Sequence, residues 1–517
     1  MPCVVAMRTA RAIGEEVPEV LNSSVGALAK ISEQNSERDT HAVAGRFGLA
    51  IRAEISSFKV GKRTVNYIKF SSWVKFLLSL NLWHHLAGMD SPDTAKTGAL
   101  WTRFWQRYQH IKPGHTAFQR PGHDFSRTCG LFLHGDEGRG AKKSAILMVS
   151  VHSALGYGIS TSSDDAKLDG MGLNYLKPTW ITRFLLGVLP KGFYSQEESD
   201  DDCDVDEGAE DGRDVYQALL GAIADDMNEL WTHGVVSPLD QQSYFFCPLG
   251  VVGDWPFIAK AGCLSRSFYN AAKHAQSTKA LKELCHLCQA DRPGYPWEDF
   301  ESVCPPWVTT MNTDYPFLQD PPLLRLPHVE DDPADFFTYD LFHAWHIGDG
   351  KAFLGTALIL LSMSSIFAGS VETRFRAMTQ KFHAWCKKHR YRPRMRKFSR
   401  QNLNWATSAS YPTGGWSKGH TTRLLNKWFL IMCQRNLEVV RGDRLLDICF
   451  HCASNMEFVL KSLYSHELWL PREVAWKIGD SFLTYLKLYG RGASLAHQNG
   501  QALFLLLPNK HRLHHIA

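Results

Sequence analysis

Two aspartates of this chain have neighbours that suit them to bind a divalent metal ion. Asp136 follows the apolar run Leu131–Gly135, and Asp254 follows the apolar run Phe246–Gly253. An apolar run that ends in Gly-Asp places a carboxylate at the end of a buried strand. Two such strand ends side by side can hold metal ions for phosphoryl transfer, but Gly-Asp is also an ordinary turn pair. The pair predicts a metal site only if the elements between them bring the two strand ends together.

A second group of residues has the spacing of a structural zinc site. The ends of Cys285-His-Leu-Cys288 can bind one zinc ion through two thiolates, but such a site needs four ligands. Two histidine groups are candidates to complete it, His343-Ala-Trp-His346 and His511-Arg-Leu-His514-His515. The other Cys-x-x-Cys pair, Cys449 and Cys452, lies within a helical pattern and is interpreted as a pair of core cysteines.

Residues 373–400 are strongly basic, with 11 Lys or Arg and no acidic residue. Interleaved aromatics could stack on bases, but Phe382 and Trp385 are expected to face the core of a helix. Consecutive arginines cannot all lie on one structural face, so phosphate contact is predicted for the end of the segment. The predicted nucleic-acid-binding residues there are Arg390, Arg392, Arg394, Arg396, Lys397 and Arg400.

A glycine-rich loop, Gly415-Trp-Ser-Lys-Gly419, precedes a predicted helix. Its Gly-x-Ser-x-Gly pattern would need a preceding strand to act as a hydrolase elbow, and the residues before it are loop-like. Lys418 at a helix start is instead predicted to bind a DNA phosphate, and a plain helix cap explains the loop as well.

The elements around the two aspartates follow a β-β-β-α-β order. The third strand is followed by an acidic run and then by a helix whose apolar residues recur at helical spacing from Val215 to Trp231. A glycine-rich turn is expected at 136–143. The predicted strands are Leu131–His134, Ala145–Val151, Trp180–Leu189 and Tyr244–Val252. Asp136 therefore follows the first strand, and Asp254 follows the fourth.

Beyond residue 260 the pattern is mostly helical, with helices expected at 350–368, 371–389, 421–440, 443–464 and 471–489. The sequence predicts an α/β core with a mixed sheet, a large helical insertion and a small helical N-terminal region. The predicted divisions are a poorly ordered segment at 1–60, an aromatic-rich helical region at 61–125, the core at 126–260 with a disordered acidic loop at 195–214, and the zinc-type insertion at 261–517.

The charge of the chain is unevenly distributed. Its formal net charge is +5, but residues 197–214 hold 11 acidic residues and one basic residue, which leaves +15 for the rest. A basic body favours a polyanionic partner. The 12 cysteines and the lack of a recognisable signal peptide predict a nuclear or cytoplasmic protein that is not secreted. The apolar stretch Leu354–Ala368 is short and carries hydroxyl side chains, so no membrane partner is expected.

The element order is similar to that of the ribonuclease H-like fold of many transposases, integrases and nucleases. Three short motifs resemble those of CACTA-type (Tnp2-like) transposases: Gly253-Asp-Trp-Pro256 with the later Cys285-x-x-Cys288, the block Asp340–Lys351, and the ending Pro508–His515. The resemblance is patchy over residues 130–515. It implies that the two strand ends are adjacent and that Asp136 and Asp254 hold catalytic Mg²⁺.

The same resemblance implies that Cys285, Cys288, His511 and His515 bind one structural Zn²⁺, with His514 able to replace His515. The implied partner is DNA, and a homo-oligomer is possible. The family's third catalytic carboxylate, usually a glutamate on a helix soon after the histidine pair, has no match before the sequence ends at Ala517. Either the sequence continues, the copy is decayed, or another residue serves; Glu457 lies on a helix, but a surface role is favoured for it.

These observations predict a transposase-derived nucleic-acid-binding protein. Its ancestral activity would be metal-dependent DNA strand cleavage and transfer, and the missing carboxylate favours a degenerate copy. The alternative is a non-catalytic helical interaction protein with no nucleic-acid role.

Overall fold

The computed structural model describes residues 3–48, 51, 53–139, 145–155, 171, 182–194, 211–268 and 283–517. The chain divides into two compact units, residues 1–55 and 56–517. The acidic loop predicted at 195–214 lies outside the described residues up to position 210.

The first unit contains three helices, α1 (Cys3–Glu16), α2 (Ser24–Ala29) and α3 (Ser36–Arg46). The segment at 1–60, predicted to be poorly ordered, therefore contains helices among its described residues. Arg8 donates to both carboxylate oxygens of Glu33 at 2.9 and 3.1 Å, and Met7 is fully buried. These contacts join residues about two dozen positions apart, so they leave no periodic pattern in the sequence.

A seven-stranded mixed sheet forms the centre of the second unit, in the order β1-β2-β5-β4-β3-β7-β6. Strands β3, β4 and β5 are antiparallel to one another in succession, whereas β7 runs parallel to β3. The strands are β1 (Ile55–Val60), β2 (Arg63–Ile68), β3 (Thr128–Arg139), β4 (Ala145–Ser153), β5 (Arg183–Pro190), β6 (Val235–Val236) and β7 (Ser243–Gly253). This arrangement confirms an α/β core with a mixed sheet, and it adds β1 and β2 from outside the predicted core.

The first long strand differs from the prediction. Residues 136–139, expected in a turn, continue β3 and pair with β4, so that Asp136 lies opposite Met148. The pairing of β3 with β7 ends at Gly135. Asp136 therefore lies within the ladder between β3 and β4, but one residue beyond the end of the ladder between β3 and β7.

Helices cover the sheet and share one apolar core with it. They are α4 (Phe70–Ser79), α5 (Trp83–Leu86), α6 (Thr94–Ile111), α7 (Asp211–Thr232) and α8 (Trp255–Ala261). In α7 the apolar positions Leu219, Ile223 and Met227 are buried, as the helical spacing predicts.

The remaining residues form a mostly helical region around a second apolar core. Its α-helices are α9 (Gly350–Met363), α10 (Val371–Lys388), α11 (Arg400–Leu403), α12 (Gly419–Gln434), α13 (Leu437–Gly442), α14 (Arg444–Ser465), α15 (Arg472–Gln498) and α16 (Lys510–Ile516). Nearly every residue of α9 is buried, and no described helix is long and apolar enough to cross a membrane. A π-helix, Phe342–Asp349, precedes α9.

Candidate metal centres

The two aspartates lie at neighbouring strand ends. Strands β3 and β7 are parallel, and Gly135 pairs with Gly253 at the last position of their ladder. Asp136 and Asp254 are the next residues of the two strands, so both carboxylates lie at the same edge of the sheet. Each is partly buried.

Both glycines before the aspartates are required by packing. A Cβ at Gly135 would lie 2.0 Å from the ring of Phe257, and a Cβ at Gly253 would lie 2.2 Å from the backbone oxygen of Gly135. The ring of Phe257 thus packs on the ladder directly behind the carboxylates. This close approach requires glycine directly before each aspartate.

Asp254 also caps a helix. Its Oδ1 accepts a hydrogen bond from the backbone N–H of Phe257 at 2.9 Å, at the start of α8. Asp254 therefore has a structural role as a helix cap rather than in a turn, and this cap uses only its Oδ1.

A third segment brings Asp340 and His343 to the same edge. Phe337 forms a parallel bridge with Val251, and the backbone N–H of Thr338 donates to the Val251 oxygen at 3.0 Å. Asp340 follows shortly after, and its Oδ2 lies 2.5 Å from His343 Nδ1. The sequence predicted no role for Asp340 and indicated His343 only as a candidate zinc ligand, although the block Asp340–Lys351 contains both.

Electrostatics link these four groups. Burial raises the pKa of Asp136 and of Asp254, and the charge of Asp136 raises that of Asp254 further. Burial alone would lower the pKa of His343, but the hydrogen bond with Asp340 and the charges of Asp340, Asp136 and Asp254 raise it above its ordinary value. The charges of three carboxylates therefore favour the protonated form of His343.

The cluster of Asp136, Asp254, Asp340 and His343, called here the carboxylate group, is more open than a closed metal site. Among the described residues, Asp136 and Asp254 form no set with a third His, Cys, Asp or Glu whose ligand atoms all lie within 4.8 Å of one another. Glu457 does not supply a third carboxylate here. It lies on α14, where it accepts from Asn426 Nδ2 at 3.4 Å and lies 3.8 Å from Lys427 Nζ.

The cysteines and C-terminal histidines form a compact cluster. The ligand atoms of Cys285, Cys288, His511 and His515 all lie within 4.8 Å of one another. Nε2 of His515 is 3.2 Å from Cys285 Sγ and 3.0 Å from His511 Nε2, which is itself 3.2 Å from Cys288 Sγ. Ligands of a tetrahedral zinc ion are separated by about 3.3 to 3.8 Å, given the usual zinc–ligand bond lengths. This buried Cys₂His₂ cluster can bind a metal ion such as zinc.

The structure selects one of the candidate histidine groups. His511 and His515 are one helical turn apart on α16, so both rings reach the thiols. The ring of His514 instead packs against Trp307 and Phe300, with centroids 4.9 and 5.7 Å apart. His343 belongs to the carboxylate group described above. The cysteines Cys449 and Cys452 lie on α14 in the second apolar core, as predicted.

Polar groups hold the cysteine loop in place. The guanidinium of Arg266, almost fully buried, donates to the backbone oxygens of Cys285 and Cys288 at 3.2 Å each. Arg266 also donates to Asp314 at 2.6 Å and forms an ion pair with Glu283. The hydroxyl of Tyr339 lies 3.2 Å from Cys285 Sγ, where it can donate to a thiolate.

The two cysteine thiols differ in how readily they lose a proton. Burial raises the pKa of a thiol, but the hydrogen bond with Cys288 and the neighbouring His515 and His511 lower the pKa of Cys285 well below its ordinary value. The hydrogen bond to Cys285, together with burial, raises the pKa of Cys288. One thiolate is thus favoured before metal binding, and a metal ion would displace the second proton.

The basic segment contains a set of exposed charges. Phe382 and Trp385 on α10 are buried, as expected, and so is Phe398. The side chains of Arg390, Arg392, Arg394, Arg396 and Lys397 are exposed, and none of them has an ion pair within the described part of the chain. Arg400 differs, because its Nε lies 3.3 Å from Glu372. Lys418 is exposed at the start of α12, where no side chain caps the helix.

No model of a protein family matches this chain, and no curated protein matches it at a significant level.

Proposed function

We propose that this protein binds nucleic acid and descends from DNA transposases with a ribonuclease H-like core. The observation that carries the proposal is the juxtaposition of Asp136 and Asp254 at the ends of two adjacent parallel strands. Along the chain, β3, β4, β5, α7 and β7 follow the β-β-β-α-β order that suggested this fold from the sequence. In space, the four strands lie in the order β5-β4-β3-β7. The relationship to CACTA-type transposases rests on the three sequence motifs.

The carboxylate group is suited to hold Mg²⁺. Asp136 and Asp254 supply the hard oxygen ligands that Mg²⁺ prefers. When bound, such an ion stabilises negative charge on the attacking and leaving oxygens of a phosphodiester. Asp340 orients the ring of His343 through their hydrogen bond, and the protonated ring can donate to a phosphate oxygen beside the carboxylates.

The Cys₂His₂ cluster is proposed to hold a structural Zn²⁺. Its four protein ligands leave no open position for a substrate, which is typical of structural rather than catalytic zinc. The exposed arginines between α10 and α11, together with Lys418, are proposed to contact the phosphates of DNA.

A binding and cleavage assay tests the proposal. The chain is incubated with labelled double-stranded and single-stranded DNA, with Mg²⁺ or Mn²⁺ and with chelator. Asp136→Asn and Asp254→Asn are compared with Asp480→Asn, which changes an exposed aspartate on α15. Asparagine at position 254 can still cap α8, so loss of the cap does not confuse the result.

The outcomes separate the ancestral activity from its degenerate form. Cleavage that needs the divalent ion and falls at least about 100-fold in both site variants, but not in Asp480→Asn, supports an active enzyme. DNA binding without cleavage supports the degenerate copy. Absence of DNA binding contradicts the proposal and favours the helical interaction protein.

A further inference from the structure

Helix α16, which carries two of the four cluster ligands, is only seven residues long. A helix of this length is not stable by itself, so tertiary contacts must fix its position and its rotation about its axis. Rotation matters because successive side chains differ by about 100° in direction. A shift of one residue would turn His511 and His515 away from the thiols.

The first residue of α16 has an unusual environment. Lys510 is fully buried, and its Nζ forms an ion pair with Asp349, which is also fully buried. The ammonium lies 3.4 Å from the centre of the Tyr489 ring, on α15. The other oxygen of Asp349 accepts a hydrogen bond from the Tyr485 hydroxyl at 2.5 Å. A fully buried lysine is rare and persists only with such partners.

Lys510 and His511 therefore anchor the start of α16 in two different places. Lys510 contacts Asp349, the last residue of the π-helix, and the ring of Tyr489 on α15, while His511 lies 3.2 Å from Cys288. Leu513, three residues after Lys510, is also fully buried in the second apolar core. The ion pair and Leu513 thus fix one face of α16, which leaves the face of His511 and His515 directed at the cysteines.

We propose that Asp349 and Lys510 are positioning residues for the Cys₂His₂ cluster. They touch no ligand atom, but they set the rotation of α16 and so present both histidines to the metal ion. This inference rests on the proposed metal site. It also gives a role to the Gly348-Asp-Gly-Lys351 block, which lacks the spacing of a phosphate-binding loop.

The test measures metal affinity in the full chain by competition with a chromophoric zinc chelator. Co²⁺ absorption reports the number and geometry of the ligands. The variants are Asp349→Asn, Lys510→Met and the milder Tyr485→Phe, which removes only the hydrogen bond to Asp349. Met378→Ala is the control, because it truncates a fully buried side chain of the same core on α10.

We expect Zn²⁺ affinity to fall about 10- to 100-fold in Asp349→Asn and Lys510→Met, with a changed Co²⁺ spectrum, and less in Tyr485→Phe. Met378→Ala should lower the melting temperature but keep the affinity and the spectrum. Wild-type affinity in Asp349→Asn and Tyr485→Phe would overturn the inference while leaving the metal site intact. If the wild-type chain binds neither ion, the proposed metal site fails and this inference fails with it. Should the two charge variants not fold, a Tyr485→Phe affinity equal to that of wild type would still overturn it.

Discussion

At the scale of single residues, three aspartates, Asp136, Asp254 and Asp340, lie close together at one edge of the sheet. Burial raises the pKa of both Asp136 and Asp254, and the neighbouring charges of Asp340 and Asp136, respectively, raise them further, so keeping both ionised costs stability. The hydrogen bond with Asp340 and the nearby carboxylate charges raise the pKa of His343, which favours a compensating positive charge at this edge. A divalent ion bound by the two aspartates would take over that role.

The pKa of His343 is therefore expected to depend on Mg²⁺. Without the ion, His343 should titrate above its ordinary value; with saturating Mg²⁺ its pKa should fall, because two of the three negative charges are neutralised. Asp340→Asn should also lower it. NMR titration of the histidine rings measures both effects, and an unchanged His343 pKa on addition of Mg²⁺ would contradict a metal ion at this edge.

The same group predicts how stability changes with pH. A histidine whose folded-state pKa is raised stabilises the fold fully below its unfolded value, about 6.5, and this contribution is lost as the pH rises through the folded value. In chelator, the drop in melting temperature above pH 6.5 should be smaller in Asp340→Asn than in the wild type. His497→Gln, at the exposed end of α15, serves as a control that should keep the wild-type profile.

At the scale of elements, the turn between α10 and α11 separates core and surface functions within one short stretch. The buried aromatic residues are Phe382 and Trp385 on α10 and Phe398 in the turn. The arginines of the turn are exposed and have no acidic partner in the described part of the chain. The burial of those aromatics removes them as base-stacking groups. The exposed arginines are the groups proposed above to contact the phosphates of DNA.

Removing three of these charges should reduce the salt dependence of DNA binding. In the variant Arg392→Ala, Arg394→Ala, Arg396→Ala, the slope of log K against log salt should fall by about 3, since each phosphate contact contributes about 0.9. The control variant changes three exposed lysines near the first hairpin, Lys59, Lys62 and Lys69, to alanine. Equal slopes for both variants would show that the turn is not the DNA-binding element.

At the scale of the whole second unit, the Cys₂His₂ cluster joins two apolar cores. Cys285 and Cys288 belong to the core of the sheet, whereas Leu513 on α16 belongs to the core of the helical region. A metal ion at this place ties the two cores together with bonds that are absent from the unfolded chain. With a metal ion bound, the cluster would therefore be a structural link between the two cores of the unit.

Metal removal should consequently lower the stability of the second unit. Zinc at 100 times its dissociation constant would stabilise the folded state by about 2.7 kcal/mol, so calorimetry should show a lower melting temperature in chelator. Cys285→Ser should abolish the difference between zinc and chelator, and Cys304→Ser, at an exposed position, should keep it. A Zn²⁺ effect that survives in Cys285→Ser would place the metal ion elsewhere.

The sequence by itself determined the type and order of most elements. Periodicity located α7, β7 and the long helices of the second region, because buried faces repeat along each element, but it did not locate the short α11 and α16. The two Gly-Asp strand ends could be recognised because each follows an apolar run. In the structure, Gly135 and Gly253 leave room for Phe257 beside the strands. The histidine pair of the cysteine cluster was identified only through resemblance, because spacing left two histidine groups open.

Only the tertiary structure decided which distant residues meet. It placed Asp340 and His343 beside the aspartates through a parallel bridge to β7, and Arg266 behind the cysteine loop. It also paired Lys510 with Asp349, although 161 positions separate them in the sequence. Such contacts join residues from different elements and follow no repeat along the chain, so periodicity and spacing do not reveal them. Burial then gives them their chemistry, because it determines which charges must find partners.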